Sequence, residues 1–149
     1  MADLPFAPAN PDFEAVVRGS FARQAFMATL GARLERVAPG EIEVSVPFDP
    51  AHAQQNGYLH AGVLAAVADS ACGYAALTLA PPGHDVLAVE FKISLLRPAA
   101  APRFLACARV LRAGRTLTTA AAEVFGIEDG PRRLVAAMLS TVIARAAAD

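Results

Sequence analysis

The sequence predicts an α+β protein in which one long buried helix is wrapped by a curved antiparallel sheet of about six strands. Three observations carry this expectation: an almost unbroken apolar stretch of helical length over residues 61–80, alternating apolar and polar runs after it, and Pro or Gly signals at the boundaries between them. The chain has 149 residues, 55% of them apolar, which suits one domain with a core of its own.

Residues 1–12 hold Pro5, Pro8 and Pro11 and no basic-then-apolar leader, and read as a loose arm; 13–149 reads as a single domain. Phe13, Val16, Val17, Phe21 and Ala25 recur at helical spacing, so a helix is expected over 13–30 with Asp12 placed to cap it. Two short strands, 34–37 and 41–48, flank the Pro39-Gly40 turn. In the second, Ile42, Val44, Val46 and Phe48 alternate with Glu41, Glu43 and Ser45, as in a strand with one wet face. A polar loop over 49–58 leads into the apolar helix, expected from about 60 to 79 and stopped by Pro81-Pro82-Gly83. Next, Leu87, Val89, Phe91, Ile93 and Leu95 alternate with Ala88, Glu90, Lys92 and Ser94 until Pro98. Strands at 103–111 and 116–125 meet at Ala113-Gly114, Asp129-Gly130 marks another hairpin, and 134–143 closes the chain. These four strands read as a meander. Nothing else in the chain can cover so apolar a helix, so the helix is expected on the concave face of the sheet.

Composition excludes several functions. A net charge of −1 argues against a nucleic-acid binder that relies on bulk charge. Cys72 and Cys107 form no C-x-x-C pair and no disulfide framework, which suits a reducing cytoplasm. The stretch 61–80 has the length of a membrane span, yet it carries Asp69, Ser70 and Thr78 and is rich in Ala and Gly; a buried core helix is expected instead. The absence of H-E-x-x-H and of paired Cys/His spacing implies no metal, and without a G-x-G-x-x-G or Walker loop no nucleotide cofactor is expected. There is no G-x-S-x-G serine-hydrolase elbow.

On a helical wheel Gly62, Ala65, Ala66, Asp69, Cys72, Gly73 and Ala76 share one face, with Val63, Val67, Ser70, Tyr74 and Leu77 opposite. Asp69 is the only carboxylate on that narrow stripe of small residues. Burial would raise its pKa and nearby amides would lower it. Such a carboxylate either caps another element or meets an arginine, or it serves chemistry. His60 stands just before the helix, where backbone N–H groups are free to bind an anion or a carbonyl oxygen; it also suits a role in shaping the loop. His60 and Asp69 are nine residues apart, on opposite sides of an ideal helix, so they form no dyad within one chain.

The run Asn56-Gly57-Tyr58-Leu59-His60-Ala61-Gly62, followed by Leu64-Ala65-Ala66-Val67-Ala68-Asp69, closely resembles the H-G-G…L-x-D signature of PaaI-like hotdog thioesterases. Residues 89–99, Val89 to Ala99, resemble the next strand of that family, and Arg112-Ala113-Gly114-Arg115 its basic hairpin. The match covers roughly residues 34–144. The resemblance implies a hotdog fold and a homodimer at least, or a tetramer, with two sites at the interface: the acid from one subunit, the loop and helix start from the other. It implies hydrolysis of an acyl-CoA thioester. Asp69 would be general base or nucleophile, and the Ala61 N–H would polarise the carbonyl, with Gly62 giving the turn its freedom. His60 would orient the loop or touch the sulfur, and Gln54 would help place water or substrate. Asn56 and Gly73 would border the substrate, and Arg97, Arg112 and Arg115 would reach the CoA phosphates. No nucleic acid or membrane partner is implied.

The chain departs from the family pattern at three positions. Ala61 replaces the first Gly, and Gly73 and Ala88 stand where some members carry hydroxyls, a contact Ser70 would have to replace. Those missing hydroxyls motivate a second reading, a non-catalytic acyl-CoA binder or sensor on the same fold. A hotdog hydratase is a third, though such enzymes typically pair a His with an acid in other sequence contexts. The acyl group itself is left open. Tyr58 is a candidate pocket residue, whereas Phe91 and Phe125 are expected in the core.

Overall fold

The computed structural model describes residues 6–148, so residues 1–5 of the expected arm lie outside the described residues. Phe6 is not loose: it packs against the core and its ring closes over the Pro39-Gly40 turn. A Cβ on Gly40 would lie 2.7 Å from that ring, and Gly40 has φ of 74°, so both space and backbone demand glycine there.

Two helices, α1 (Phe13–Arg23) and α2 (Ala25–Thr29), replace the single one expected over 13–30. They break at Gln24, whose backbone is extended at φ −79°, ψ 96°. Its side chain turns instead to the long helix, where Nε2 donates to Tyr74 Oη at 3.2 Å and Oε1 accepts from Ser70 Oγ at 3.0 Å. Two tertiary hydrogen bonds thus offset the interrupted helix ladder. Asp12 stands at the start of α1 but makes no side-chain capping bond.

Strands β1 (Arg33–Ala38) and β2 (Glu41–Pro47) form the first hairpin. A 3-10 turn, Pro50–His52, follows, capped by Asp49 Oδ1 accepting from the Ala51 N–H at 2.8 Å. The long helix α3 (Ala61–Leu77) precedes β3 (His84–Leu95), β4 (Arg103–Ala113), β5 (Leu117–Ile127) and β6 (Arg133–Ala146). All six strands form one antiparallel sheet in the order β1-β2-β4-β5-β6-β3. The meander is therefore three strands, not four. β2 fills one edge of β4, with Val44 opposite Ala106, so β3 pairs with β6 at the far side. α3 lies across the inner face against β2 through β6. Its C-terminal end is tied down by buried Thr78, whose Oγ1 donates to the Ala75 carbonyl and accepts from the Gly40 N–H, each at 2.7 Å. No helix among the described residues is long and apolar enough to cross a membrane.

The packing of α3 revises the helical wheel. Val63, Leu64, Val67, Ala68, Ala71, Cys72, Ala75 and Ala76 face the core, while Gly62, Ala65, Ala66, Asp69, Ser70 and Gly73 form the side left open. Cys72 and Ala76 thus belong to the core, where small side chains let the helix lie close to the sheet, and Ser70 belongs to the open stripe.

β3 also departs from simple alternation. A bulge at Val89 shifts its register against β6, so Ala88 opposite Val142 and Phe91 opposite Ser140 both face inward, while Leu87 opposite Ile143 faces out. β3 is an edge strand, and α3 packs against it without covering all of its inward side chains. Phe91 is accordingly 44% exposed, Val89 56% and Leu95 54%. Phe91 is not a core residue, and Phe125 is only half-buried on the outer face of β5.

Candidate functional site

Two cavities flank α3, and Gln54, His60, Ala61 and Arg97 fall in one while Asp69 and Gly73 fall in the other. The first, of about 530 Å³, lies at the start of the helix and is lined by Gln54, His60, Ala61 and Arg97 with Tyr58 and Leu95–Ala99. The second, of about 260 Å³, holds Asp69, Ser70 and Gly73 with Val86–Ala88 of β3 and Ser20, Gln24 and Tyr74. His60 and Asp69 do not meet within the chain, in keeping with their spacing on the helix.

The helix start is shaped by His60. Its backbone is extended at φ −62°, ψ 138°, and its Nδ1 accepts from the Gly62 N–H at 2.8 Å, while its carbonyl accepts from the Val63 N–H at 2.9 Å. Nδ1 is therefore the unprotonated nitrogen of this ring. Ala61 is the first helical residue, where the N–H has no acceptor in the preceding turn. Its φ is not positive, so the methyl that replaces the usual glycine is accommodated. Gly62 plays a different part from the conformational freedom expected of it. Its φ is also not positive, but a Cβ there would lie 2.9 Å from His60 Nδ1. The requirement is space for the capping imidazole.

The loop before the helix is held by its own polar groups. Gln54 N–H donates to the Tyr58 carbonyl at 2.8 Å and Gly57 N–H to the Gln54 carbonyl at 2.9 Å, while Gln54 Oε1 accepts from the Asn56 N–H. Gln54 thus spends its side-chain oxygen on the turn and keeps the amide N–H groups for the cavity. Asn56 is exposed at the turn and is not among the residues lining either cavity.

Asp69 has no arginine beside it. Its Oδ1 is buried without a hydrogen-bond partner, and burial raises its pKa above the ordinary 3.8. One turn on, Cys72 is buried beneath it, and its thiol is pushed up to about 12, first by burial and then by the Asp69 charge. This thiol is unreactive by pKa and by access. Both positions that lack the family's hydroxyls, Gly73 and Ala88, line the cavity of Asp69, and a Cβ on Gly73 would meet nothing within 4 Å. Ser70 is present there, but its hydroxyl donates to Gln24 Oε1.

The three arginines separate. Arg97 lies at the helix-start cavity, where one guanidinium nitrogen donates to the Leu134 carbonyl at 2.7 Å. Arg112 and Arg115 are exposed about the β4–β5 turn, closed by the Gly114 N–H donating to the Leu117 carbonyl at 2.8 Å. That turn is at the opposite end of the sheet, about 33 Å away along β5 at the rise of a strand residue. Sequence reasoning missed Ser20, Gln24 and, as a cavity residue, Tyr74. The break at Gln24 is created by tertiary hydrogen bonds, and the apolar periodicity runs through it without a mark.

Comparison with known proteins places this geometry. Residues 56–131 match the sequence pattern of the thioesterase superfamily. A thioesterase family protein from Silicibacter pomeroyi is 47% identical and superposes with a TM-score of 0.88, over 91% of this chain and 99% of the other. The E. coli PaaI protein from the phenylacetic acid degradation operon shares the fold at a TM-score of 0.81 and 20% identity, over 91% and 94% of the two chains. A Halobacterium salinarum protein whose name calls it an esterase is 27% identical over 114 residues, 73% of this chain and 75% of that one. The chain belongs to the thioesterase superfamily, with the hotdog fold of its PaaI-like members, and the chemistry of that family is thioester hydrolysis.

Proposed function

We propose that the protein hydrolyses acyl-CoA thioesters at two sites of a homodimer, with Asp69 as the catalytic carboxylate. The observation that carries this reading is the Asp69 carboxyl itself, half-buried on an open helix stripe, with one oxygen unpartnered and no cation to neutralise it among the described residues. A structural carboxylate would be paired; an unpaired one in a cavity is an active-site feature.

Asp69 takes a proton from water, whose oxygen attacks the thioester carbon, or attacks that carbon directly to form an anhydride that water then cleaves. In either route the carbonyl oxygen becomes an oxyanion. The Ala61 N–H of the partner subunit, at the positive end of its helix, would stabilise it. Collapse breaks the carbon–sulfur bond, and the CoA thiolate leaves and takes up a proton. The raised pKa makes Asp69 a stronger base than an ordinary carboxylate.

The same geometry supports a dimer. The two halves of the chemistry lie in separate cavities, and β3 offers an unpaired edge with exposed Val89, Phe91 and Leu95 beside Asp69's side of the helix. Pairing β3 with its copy would cover these side chains and bring the helix start of one subunit toward Asp69 of the other. Arg97 is then the CoA contact nearest the helix start, and Arg112 and Arg115 serve only a CoA that reaches the other end of the sheet.

The test is release of free thiol from short, medium, long and aryl acyl-CoAs by the wild type and by Asp69→Ala. Turnover should fall by about a thousand-fold or more in the variant. Full activity in folded Asp69→Ala would overturn the assignment. Saturable acyl-CoA binding without release by the wild type would favour the binder, for which the methyl and hydrogen at Ala88 and Gly73 speak.

A further inference from the structure

The cavity beside Asp69 is closed by a polar network that the hydrolytic chemistry does not use. Gln24 Nε2 donates to Tyr74 Oη at 3.2 Å, Ser70 Oγ donates to Gln24 Oε1 at 3.0 Å, and Ser20 Oγ lies 3.4 Å from Tyr74 Oη. Tyr74 is only 6% exposed, and its ring is held by Phe21, with centroids 5.7 Å apart. All four polar residues line the same cavity as Asp69 and Gly73. They come from α3, from α1 (Ser20) and from the break between α1 and α2 (Gln24).

Counting donors and acceptors shows what the network leaves over. A primary amide has two N–H groups and two acceptor sites; Gln24 uses one of each, so one N–H and one lone pair remain. Ser20 and Tyr74 share at most one hydrogen bond with each other, so one hydroxyl hydrogen between them is also uncommitted. The cavity is also lined by Gly73 and Ala88, which offer no side-chain polar atom, and by Asp85 of β3; a Cβ on Gly73 would meet nothing within 4 Å. The cavity thus sets a small-residue surface on α3 and β3 beside the polar wall of Gln24, Ser20 and Tyr74.

Resting on Asp69 as the catalytic group, we infer that this cavity receives the acyl chain and that Gln24 is a specificity-determining residue: it selects acyl groups whose far end carries a hydrogen-bonding oxygen over plain alkyl chains of the same size. An alkyl end seated against Gln24 would strip water from the free N–H and hydroxyl and give nothing back, and sites built this way discriminate strongly against the analogue that lacks the polar atom. A hydroxyl end would satisfy both.

The experiment compares isosteric pairs of acyl-CoAs, ω-hydroxyalkanoyl against the alkanoyl with a methyl in place of the hydroxyl, over a series of chain lengths. kcat/KM is measured for wild type, Gln24→Leu and Tyr74→Phe. The affinity of the same pairs is measured by calorimetry on Asp69→Asn, which reports recognition without turnover. At one chain length the wild type should prefer the hydroxyl member by about ten-fold or more, and Gln24→Leu should bring that ratio to one or below. Tyr74→Phe, which removes one oxygen and keeps the ring, should lower the ratio in the same direction, so the inference does not depend on Gln24→Leu folding. Hydrolysis by the wild type with no hydroxyl preference, or a preference unchanged in both variants, would overturn the inference and leave the thioesterase reading intact. A hydroxyl preference in binding, with hydrolysis undiminished in Asp69→Asn, would overturn the catalytic role and leave the polar wall standing.

Discussion

Removing the aromatic ring of Phe91 should separate the subunits. Phe91 points to the helix side of β3 but is 44% exposed, because α3 packs against this edge strand without covering Phe91. Taking about 200 Å² as the area a phenylalanine can bury, the exposed part is about 90 Å². At about 25 cal/mol per Å² this is worth roughly 2 kcal/mol per subunit, and a twofold interface counts it twice. Phe91→Ala should therefore weaken the dimer by about 4 kcal/mol, close to a thousand-fold in its dissociation constant. Sedimentation over a dilution series from nanomolar to high-micromolar protein reads that constant directly, and thiol release at each concentration should fall as the dimer dissociates. A Phe91→Ala protein that dimerises as tightly as wild type would place the interface elsewhere. A fully active monomer would refute the shared site altogether.

Two further outcomes concern the two ends of the chemistry. Burial raises the pKa of Asp69 in the folded protein above its value in the unfolded chain, so the charged form opposes folding at pH above the folded pKa, and protonation relieves this as pH falls through that pKa. Asp69→Asn should thus be more stable than wild type at neutral pH, by about 1 kcal/mol or a few degrees in Tm, with the gain fading toward the ordinary carboxylate range; thermal melts at several pH values check this. At the other end, Gly62→Ala places a methyl 2.9 Å from His60 Nδ1 and should displace the ring. Losing that cap should cost about 1 kcal/mol in denaturant melts, with a fall in turnover, and His60→Ala combined with Gly62→Ala should be no worse than either alone.

Sequence alone made much of this legible where local rules and tertiary structure agree. The strands at 41–48 and 103–111, the stop at Pro81-Pro82-Gly83 and the isolation of Asp69 among small residues all follow from period, turn residues and helical geometry. The errors are tertiary in origin. The bulge at Val89 turns Leu87 outward and Ala88 inward, which strict alternation cannot anticipate. The placing of β3 beside β6 depends on β2 having already taken the edge of β4. Phe91 looks like a core residue because the half of its surroundings that would bury it belongs, in this account, to another subunit. Gln24 is indistinguishable in sequence from a residue on the wet side of a continuous helix, and only its bonds to Ser70 and Tyr74 reveal it. Gly62 was legible as a glycine that mattered but not for its reason, since the imidazole it accommodates folds back from His60.

The central claim, that each site joins Asp69 of one subunit to the Ala61 N–H of the other, has a direct test in subunit mixing. Ala61→Pro deletes that N–H at the first helical position, where proline is tolerated, and the extended backbone of His60 before it suits a following proline. Alone, Ala61→Pro should lose about a hundred-fold or more in kcat, and Asp69→Asn should lose at least as much. Dissociated, mixed in equal amounts and reassociated, half of the dimers carry one of each chain, and each of these regains one intact site. The mixture should recover about a quarter of wild-type thiol release, as random pairing in a twofold dimer requires. A mixture no more active than its two components would contradict the shared site and place both groups of each active site in a single chain.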